Sequence, residues 1–146
     1  MTARRAPTAL ADAPVVVDAS IAVQWFANEP GSANAARLIA GERRLLAPDL
    51  MAVEAANAWW KKSRRREMAA ADAVQALTHL FGLGVVWLST SDLAGRALDL
   101  ALKQGHPIYD CLYAVSAIDH RAELATDDAR LRQLAGALGL RLWQPG

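Results

Sequence analysis

The chain has 146 residues, 53% of them apolar and 21% charged, with a formal charge of +1. That length suits one domain, the apolar content excludes a wholly disordered chain, and near-neutrality leaves any nucleic-acid contact to a local basic patch. The single cysteine, Cys111, excludes a disulfide scaffold or a cysteine-built zinc site, and no apolar run approaches the ~18 residues of a membrane helix.

Residues 1–13 are small, polar and basic, with Pro7 and the pair Arg4-Arg5, and lack the apolar region of a signal peptide. They read as a flexible tail on a cytoplasmic protein, and 14–146 as one domain. Val15-Val16-Val17 is a β-branched run that predicts a buried strand ending at Asp18. Ile21 to Phe26 predicts a short helix, and Asn28 to Gly31 is turn chemistry, with Ser32 as the N-cap of a helix through Ala40 that Gly41 ends. Leu45-Leu46-Ala47 predicts a second strand. Pro48 and Asp49 then open a helix whose periodic positions are Leu50, Val53, Asn57 and Trp60, closed by Lys61, Lys62, Arg64, Arg65 and Arg66.

The segment from Glu67 to Phe81 predicts a further helix with Val74, Leu77 and Phe81 on one face, and Val85 to Leu88 a third strand. Ser91 is placed to cap a helix carrying Leu93, Ala97 and Leu100, which Gly105 stops. A helix from Tyr109 to Asp119 would bury Cys111, Val115 and Ile118. Leu124-Ala125 reads as a fourth strand, Leu131, Leu134 and Leu138 mark a last helix, and Leu140 to Trp143 reads as a final strand. Strands separated by helices imply parallel pairing through right-handed crossovers, hence an α/β protein built as a three-layer α/β/α sandwich with a mostly parallel sheet. In such sheets the site lies beyond the carboxyl ends of the strands.

That rule selects the acids. Asp18 directly follows the first strand, Asp127 and Asp128 follow the fourth, Asp110 opens a helix, and Glu54 lies at the margin of the core face of another. Each has a plain alternative, since Asp at a helix start caps it or meets its dipole, worth roughly 0.5–2 kcal/mol. A half-buried Glu without a partner is harder to explain that way. Carboxylates that converge raise one another's pKa values, and a divalent cation relieves this; ligation by oxygen alone suits Mg²⁺ or Mn²⁺. The histidines, His79, His106 and His120, are scattered and form no zinc cluster with Cys111, itself read as a buried apolar residue.

Four segments occur in order: Val-Val-Asp18-Ala-Ser20; Pro48-Asp-Leu-Met-Ala-Val-Glu54-Ala-Ala-Asn57-Ala-Trp; Gly105-His-Pro-Ile-Tyr-Asp110-Cys-Leu-Tyr-Ala-Val-Ser-Ala; and Leu-Ala-Thr126-Asp-Asp128-Ala-Arg-Leu. Together, from about Val15 to Trp143, they make the chain resemble a PIN-domain ribonuclease of the VapC kind, found in prokaryotic type II toxin–antitoxin pairs. The resemblance implies a Mg²⁺- or Mn²⁺-dependent endoribonuclease, an RNA substrate, a cognate antitoxin, and a homodimer or a hetero-oligomer with that antitoxin. It carries the family's acidic quartet onto Asp18, Glu54, Asp110 and Asp128, preferring Asp128 over Asp127 because the family pattern is Thr, any residue, then Asp. Ser20, Asn57 and Thr126 match its polar supporting positions. One departure is Arg66, where relatives often have Gly in the basic turn.

The basic run from Lys61 to Arg66 is either a solvated helix end or a surface for the RNA backbone. Trp59 and Trp60 point about 100° apart, with Trp60 fitting the core face and Trp59 left to stack on a base or pack at an interface. Trp25 and Phe26 are either core or part of a groove for a partner. Two other readings compete. A catalytically inactive PIN-like binding module would keep the fold without cleavage. A receiver-like signalling domain would need an acceptor Asp after a middle strand and a Lys after a late one; here Leu88-Ser89-Thr90 holds no acid before Asp92, and no Lys follows the later strands.

Overall fold

The computed structural model describes residues 12–145, so the predicted tail lies almost wholly outside the described residues. The elements run β1 (Val15–Val17), α1 (Ala19–Trp25), α2 (Ser32–Ala40), β2 (Leu45–Pro48), α3 (Leu50–Arg64), α4 (Ala70–Phe81), β3 (Val86–Leu88), α5 (Thr90–Gln104), α6 (Ile108–His120), β4 (Glu123–Ala125) and α7 (Ala129–Leu138). No helix among the described residues is long and apolar enough to cross a membrane.

The sheet has the order β3-β2-β1-β4 and every pair is parallel, with Val15 beside Leu45, Leu46 beside Val86, and Val16 beside Leu124. The chain moves outward from β1 to β3, then returns across the sheet to place β4 on the other side of β1. Right-handed crossovers in opposite directions put α1 to α4 and α5 to α7 on opposite faces, which gives the three-layer sandwich. The reversal makes the carboxyl ends of β1 and β4 the topological switch point, where α/β sheets open a crevice. The predicted last strand contracts to one bridge, Leu142 beside Leu124. The backbone bonds Leu124 N to Arg141 O and Trp143 N to Leu124 O, both 2.9 Å, hold it there.

Helix α6 is the centre of the core. It packs on β1, β2 and β4 and against α5 and α7. Asp110 to Ala117 are buried without interruption, so the helix is enclosed nearly all round rather than presenting one stripe. Ile118, predicted inside, is 45% exposed because it falls beyond that enclosed segment.

Two other helices are rotated from their predicted faces. In α3 the buried residues are Met51, Ala52, Ala55 and Trp59, while Val53 and Trp60 are exposed and Asn57 faces outward with them. The indole of Trp59 donates to Val23 O (3.3 Å) and meets Phe26 edge to face, at 5.9 Å between ring centroids. The two tryptophans thus exchange their expected places, because α3 must pack against α1 as well as β2, and that contact turns small alanines inward. In α4 the buried face is Ala76 and Leu80, with Val74 and Phe81 exposed. Its first turn begins at Ala70 rather than near Glu67.

Two caps also differ. Ser32 is the first helical residue of α2, and its hydroxyl accepts from Glu29 N and donates to Ala27 O, tightening the preceding turn instead. Ser89 rather than Ser91 caps α5, accepting from Asp92 N at 3.3 Å.

The turn after α3 holds Arg66 at φ 59°, the left-handed region that costs an L side chain roughly 1–2 kcal/mol. Gly at this position would carry no such cost. Arg66→Gly should raise stability by about 1 kcal/mol, read as a higher urea midpoint with an unchanged slope.

Candidate active site

The switch point is organised by one buried carboxylate. Asp18 follows the last residue of β1 and its side chain caps α1, Oδ1 accepting from Ile21 N at 3.3 Å. It is only 4% exposed. Ser20 Oγ donates to Oδ1 (2.6 Å) and Thr126 Oγ1 donates to Oδ2 (2.5 Å). Both hydroxyls also accept from the segment after β4: Ser20 from Asp127 N and Thr126 from Asp128 N, each 2.9 Å. Each is a one-atom bridge between the ends of β1 and β4, and each can bridge because a hydroxyl donates and accepts at once. Burial pushes the Asp18 carboxyl up to about 6, opposed by the two hydroxyls and the Ile21 amide, with the charge of Asp128 adding to the rise.

The other three acids of the predicted quartet approach from separate elements. Asp128 caps α7 through Oδ1, which accepts from Leu131 N at 2.9 Å. Glu54, half-buried on α3, accepts from the Tyr113 hydroxyl of α6. Asp110, in the first turn of α6, is buried, and its Oδ2 has no hydrogen-bond partner. His106 Nδ1 stands 3.8 Å from that oxygen, outside hydrogen-bond distance.

Burial raises Glu54, with Asp110 and Asp128 adding to the rise; burial then Asp128 raise Asp110, against Arg130 and His106. Asp128 acts on all three of the others, so the four carboxylates share one electrostatic neighbourhood. Among the described residues no three acidic, imidazole or thiol groups are drawn together tightly enough to enclose an ion. Asp18, Glu54 and Asp128 each take donors from their own surroundings. The chemistry of the set still fits a hard divalent cation: every donor is oxygen, and the buried Oδ2 of Asp110 accepts no hydrogen bond.

Asp127 turns away from this group. Its carboxylate accepts from Gln24 Nε2 (2.5 Å) on α1. Asn57, predicted to support the carboxylates, is exposed and hydrogen-bonds none of them among the described residues. Tyr113 orients Glu54 instead, and Gln24 orients Asp127. Neither stood out in the sequence, because Tyr113 lies in an apolar helix run and the contact with Glu54 spans 59 residues.

The basic run divides. Lys62 pairs with Glu29, Arg65 Nε lies 3.3 Å from Glu67, and the Arg64 guanidinium sits 5.2 Å over the Trp60 ring. Lys61 and Arg66 have no ion pair among the described residues. An open cleft of about 420 Å³ lies between α1 and α3, lined among others by Ser20, Gln24, Lys61, Lys62, Arg65 and Asp127. It connects the basic residues to the switch point.

The fold and this geometry define a class: a small parallel α/β protein with Asp18 and Asp128 at the sheet's topological switch point. The chain belongs to the PIN-domain family, whose model matches residues 15–137. It is 34% identical over 127 residues to Ribonuclease VapC3 of Pyrobaculum aerophilum, covering 85% of this chain and 96% of that protein. It is 35% identical over 80 residues to Ribonuclease VapC27 of Mycobacterium tuberculosis, covering 54% of this chain and 58% of that protein. Among solved structures, one from Pyrobaculum aerophilum superposes with a TM-score of 0.68 at 26% identity, covering 84% of this chain and 86% of that one. The fold is also shared with VapC20 of Mycobacterium tuberculosis, described as a sarcin-ricin loop cleaving toxin: TM-score 0.70 at 17% identity, covering 90% of this chain and 99% of that one.

The raised carboxyl of Asp18 predicts an unusual pH dependence. A group with folded pKa about 6 and unfolded value 3.8 binds its proton more tightly in the native state. Stability from this group is present below about pH 4 and is lost as pH rises through 6. At about 1.36 kcal/mol per unit, the loss at pH 7 approaches 3 kcal/mol. The metal-free protein should therefore melt higher at pH 5 than at pH 7, and Asp18→Asn should flatten that difference and raise stability at pH 7. An equal slope in both proteins would show that Asp18 does not carry the buried charge.

Proposed function

We propose that this protein is a metal-dependent endoribonuclease of the VapC toxin kind, using Asp18, Glu54, Asp110 and Asp128 and restrained by a cognate antitoxin. The observation that carries the reading is the buried Asp110 Oδ2, which accepts no hydrogen bond, together with the raised carboxyls of Asp18, Glu54 and Asp110, each pushed up by burial and by the charge of Asp128. The extended match to a relative named as a ribonuclease supports it.

These four residues would hold Mg²⁺ or Mn²⁺, which supplies a water of lowered pKa and neutralises charge on the scissile phosphate. The residues of the chain divide the remaining work. Ser20 and Thr126 hold Asp18 with both oxygens in fixed directions, so its charge is oriented before RNA arrives. Tyr113 does the same for Glu54. Asp110 Oδ2 is the open acceptor, free to take a proton from water or to face a cation. The cleft bearing Lys61 and Arg65 offers cationic contacts for the RNA backbone on the way to that site. A homodimer or an assembly with the antitoxin belongs to the same reading.

The experiment pairs melting with cleavage. Mn²⁺ at ~100 times its Kd stabilises a protein by about 2.7 kcal/mol, or roughly 5–10 °C for a domain of this size. Wild type should show that shift and cleave RNA, and Asp110→Asn should lose both. A wild type indifferent to millimolar Mn²⁺ would leave a binding module in place of an enzyme.

The backbone contacts have a separate readout. Replacing Lys61 and Arg65 together by Gln should weaken RNA binding and reduce the slope of log K against log salt by about 0.7 per lost phosphate contact. An unchanged slope would return these residues to the solvated end of α3.

A further inference from the structure

A second cavity, of about 270 Å³, lies on the far side of Asp127, lined among others by Gln24, Gly31, Asn34, Asp127, Arg132 and Trp143. Gln24 is 93% buried, being 7% exposed, and its amide orientation is set by its donors. Nε2 donates to Ser20 O (2.9 Å) and to Asp127 Oδ2 (2.5 Å). Its Oε1 is thereby left as a buried acceptor with no partner. That oxygen lies against Gly31, where an added methyl would stand 2.1 Å from it, so the cradle exists only because residue 31 has no side chain. Gln24 and Gly31 thus form a closed inner wall of the cavity.

The remaining walls specify the kind of ligand. Trp143 offers an aromatic surface and Asn34 an amide. Arg132 is held by one bond, NH1 donating to Thr126 O at 3.0 Å, which leaves most of its donors uncommitted. The volume lies just below the roughly 300–1,000 Å³ of sites for drug-sized ligands and admits one planar ring system. Flat surface, amide and guanidinium together are means by which proteins bind unpaired RNA bases. Position agrees: Asp127 and Gln24 form the wall shared with the basic cleft, and Thr126 joins this cavity to Asp18. A strand lying along the basic cleft and past Asp127 reaches this cavity next.

We propose that the cavity between α1, α2 and the Asp127 loop holds one unpaired nucleobase next to the scissile phosphate, and so sets the sequence preference of cleavage. This rests on the ribonuclease reading, and its test has an arm that does not. Wild-type protein is titrated with each of the four nucleoside 5′-monophosphates, and with ribose 5-phosphate as control, while the Gln24 and Asn34 side-chain amides and the Trp143 indole are followed by NMR. Shifts at these groups that depend on the base are expected. No shifts, or the same shifts with ribose 5-phosphate, would overturn the proposal.

The second arm uses RNA randomised around the cut. Asn34→Ala, at an exposed position, and Trp143→Ala should each flatten the base preference at one position by roughly tenfold, the scale of one stacked base. The Mn²⁺-induced melting shift should persist in both variants, which separates loss of the base pocket from loss of fold. An unchanged preference in both defeats the assignment. Base-dependent NMR shifts in a protein that cleaves no RNA would instead defeat the ribonuclease reading and leave the pocket standing.

Discussion

Asp18 is charged, buried and placed where β1 ends, and the site is arranged around making that tolerable. Removing a carboxylate from water costs several kcal/mol unless donors replace the lost hydration. Here Ser20, Thr126 and the Ile21 amide supply them, at 2.6, 2.5 and 3.3 Å. The same two hydroxyls accept from the backbone after β4, so satisfying Asp18 also ties the two central strands together at their carboxyl ends. The geometry of Asp128 follows, since its amide is one of the two so held. Fold and candidate site thus share a single set of hydrogen bonds.

Two of the four candidate acids are also helix caps. Asp18 caps α1 and Asp128 caps α7, which is what the plain reading of each predicts. The functional reading is compatible with it, because a cap uses few of the lone pairs a carboxylate presents. Asp110 differs. It stands in the first turn of α6 with one oxygen buried and unclaimed, a cost that capping does not explain. Its burial follows from its place at the start of the run Asp110 to Ala117 that the sheet, α5 and α7 enclose, whereas Tyr109 just before it is exposed.

Around this rigid centre the surface is more open. The charges between Lys61 and Arg66 are partly spent within the fold, Lys62 on Glu29 and Arg65 on Glu67. A run of cations in sequence therefore overstates the charge offered to a ligand. What remains faces a cleft ending at Asp127, and beyond Asp127 lies a second cavity that shares Gln24 and Asp127 with it as a wall.

By itself, the sequence determined the alternation of strands and helices, the parallel α/β class and the positions of the strand-end acids. Short β-branched runs and punctuation by Gly, Pro and Asp are local signals, and Val15-Val16-Val17 followed by Asp18 needs no tertiary information to be read. Its family resemblance located Glu54 and Asp110, which local pattern alone left ambiguous. Tertiary structure decided the rotation of each helix and the partners of each acid. Trp59 rather than Trp60 is buried because α3 packs on α1 as well as on the sheet, a contact that no period of 3.6 residues contains. Tyr113 meets Glu54 across 59 residues, Thr126 meets Asp18 across 108, and Asn57, three residues from Glu54, meets neither. Such pairs form only when the crossovers bring the strand ends together, and the distance between them along the chain carries no trace of it.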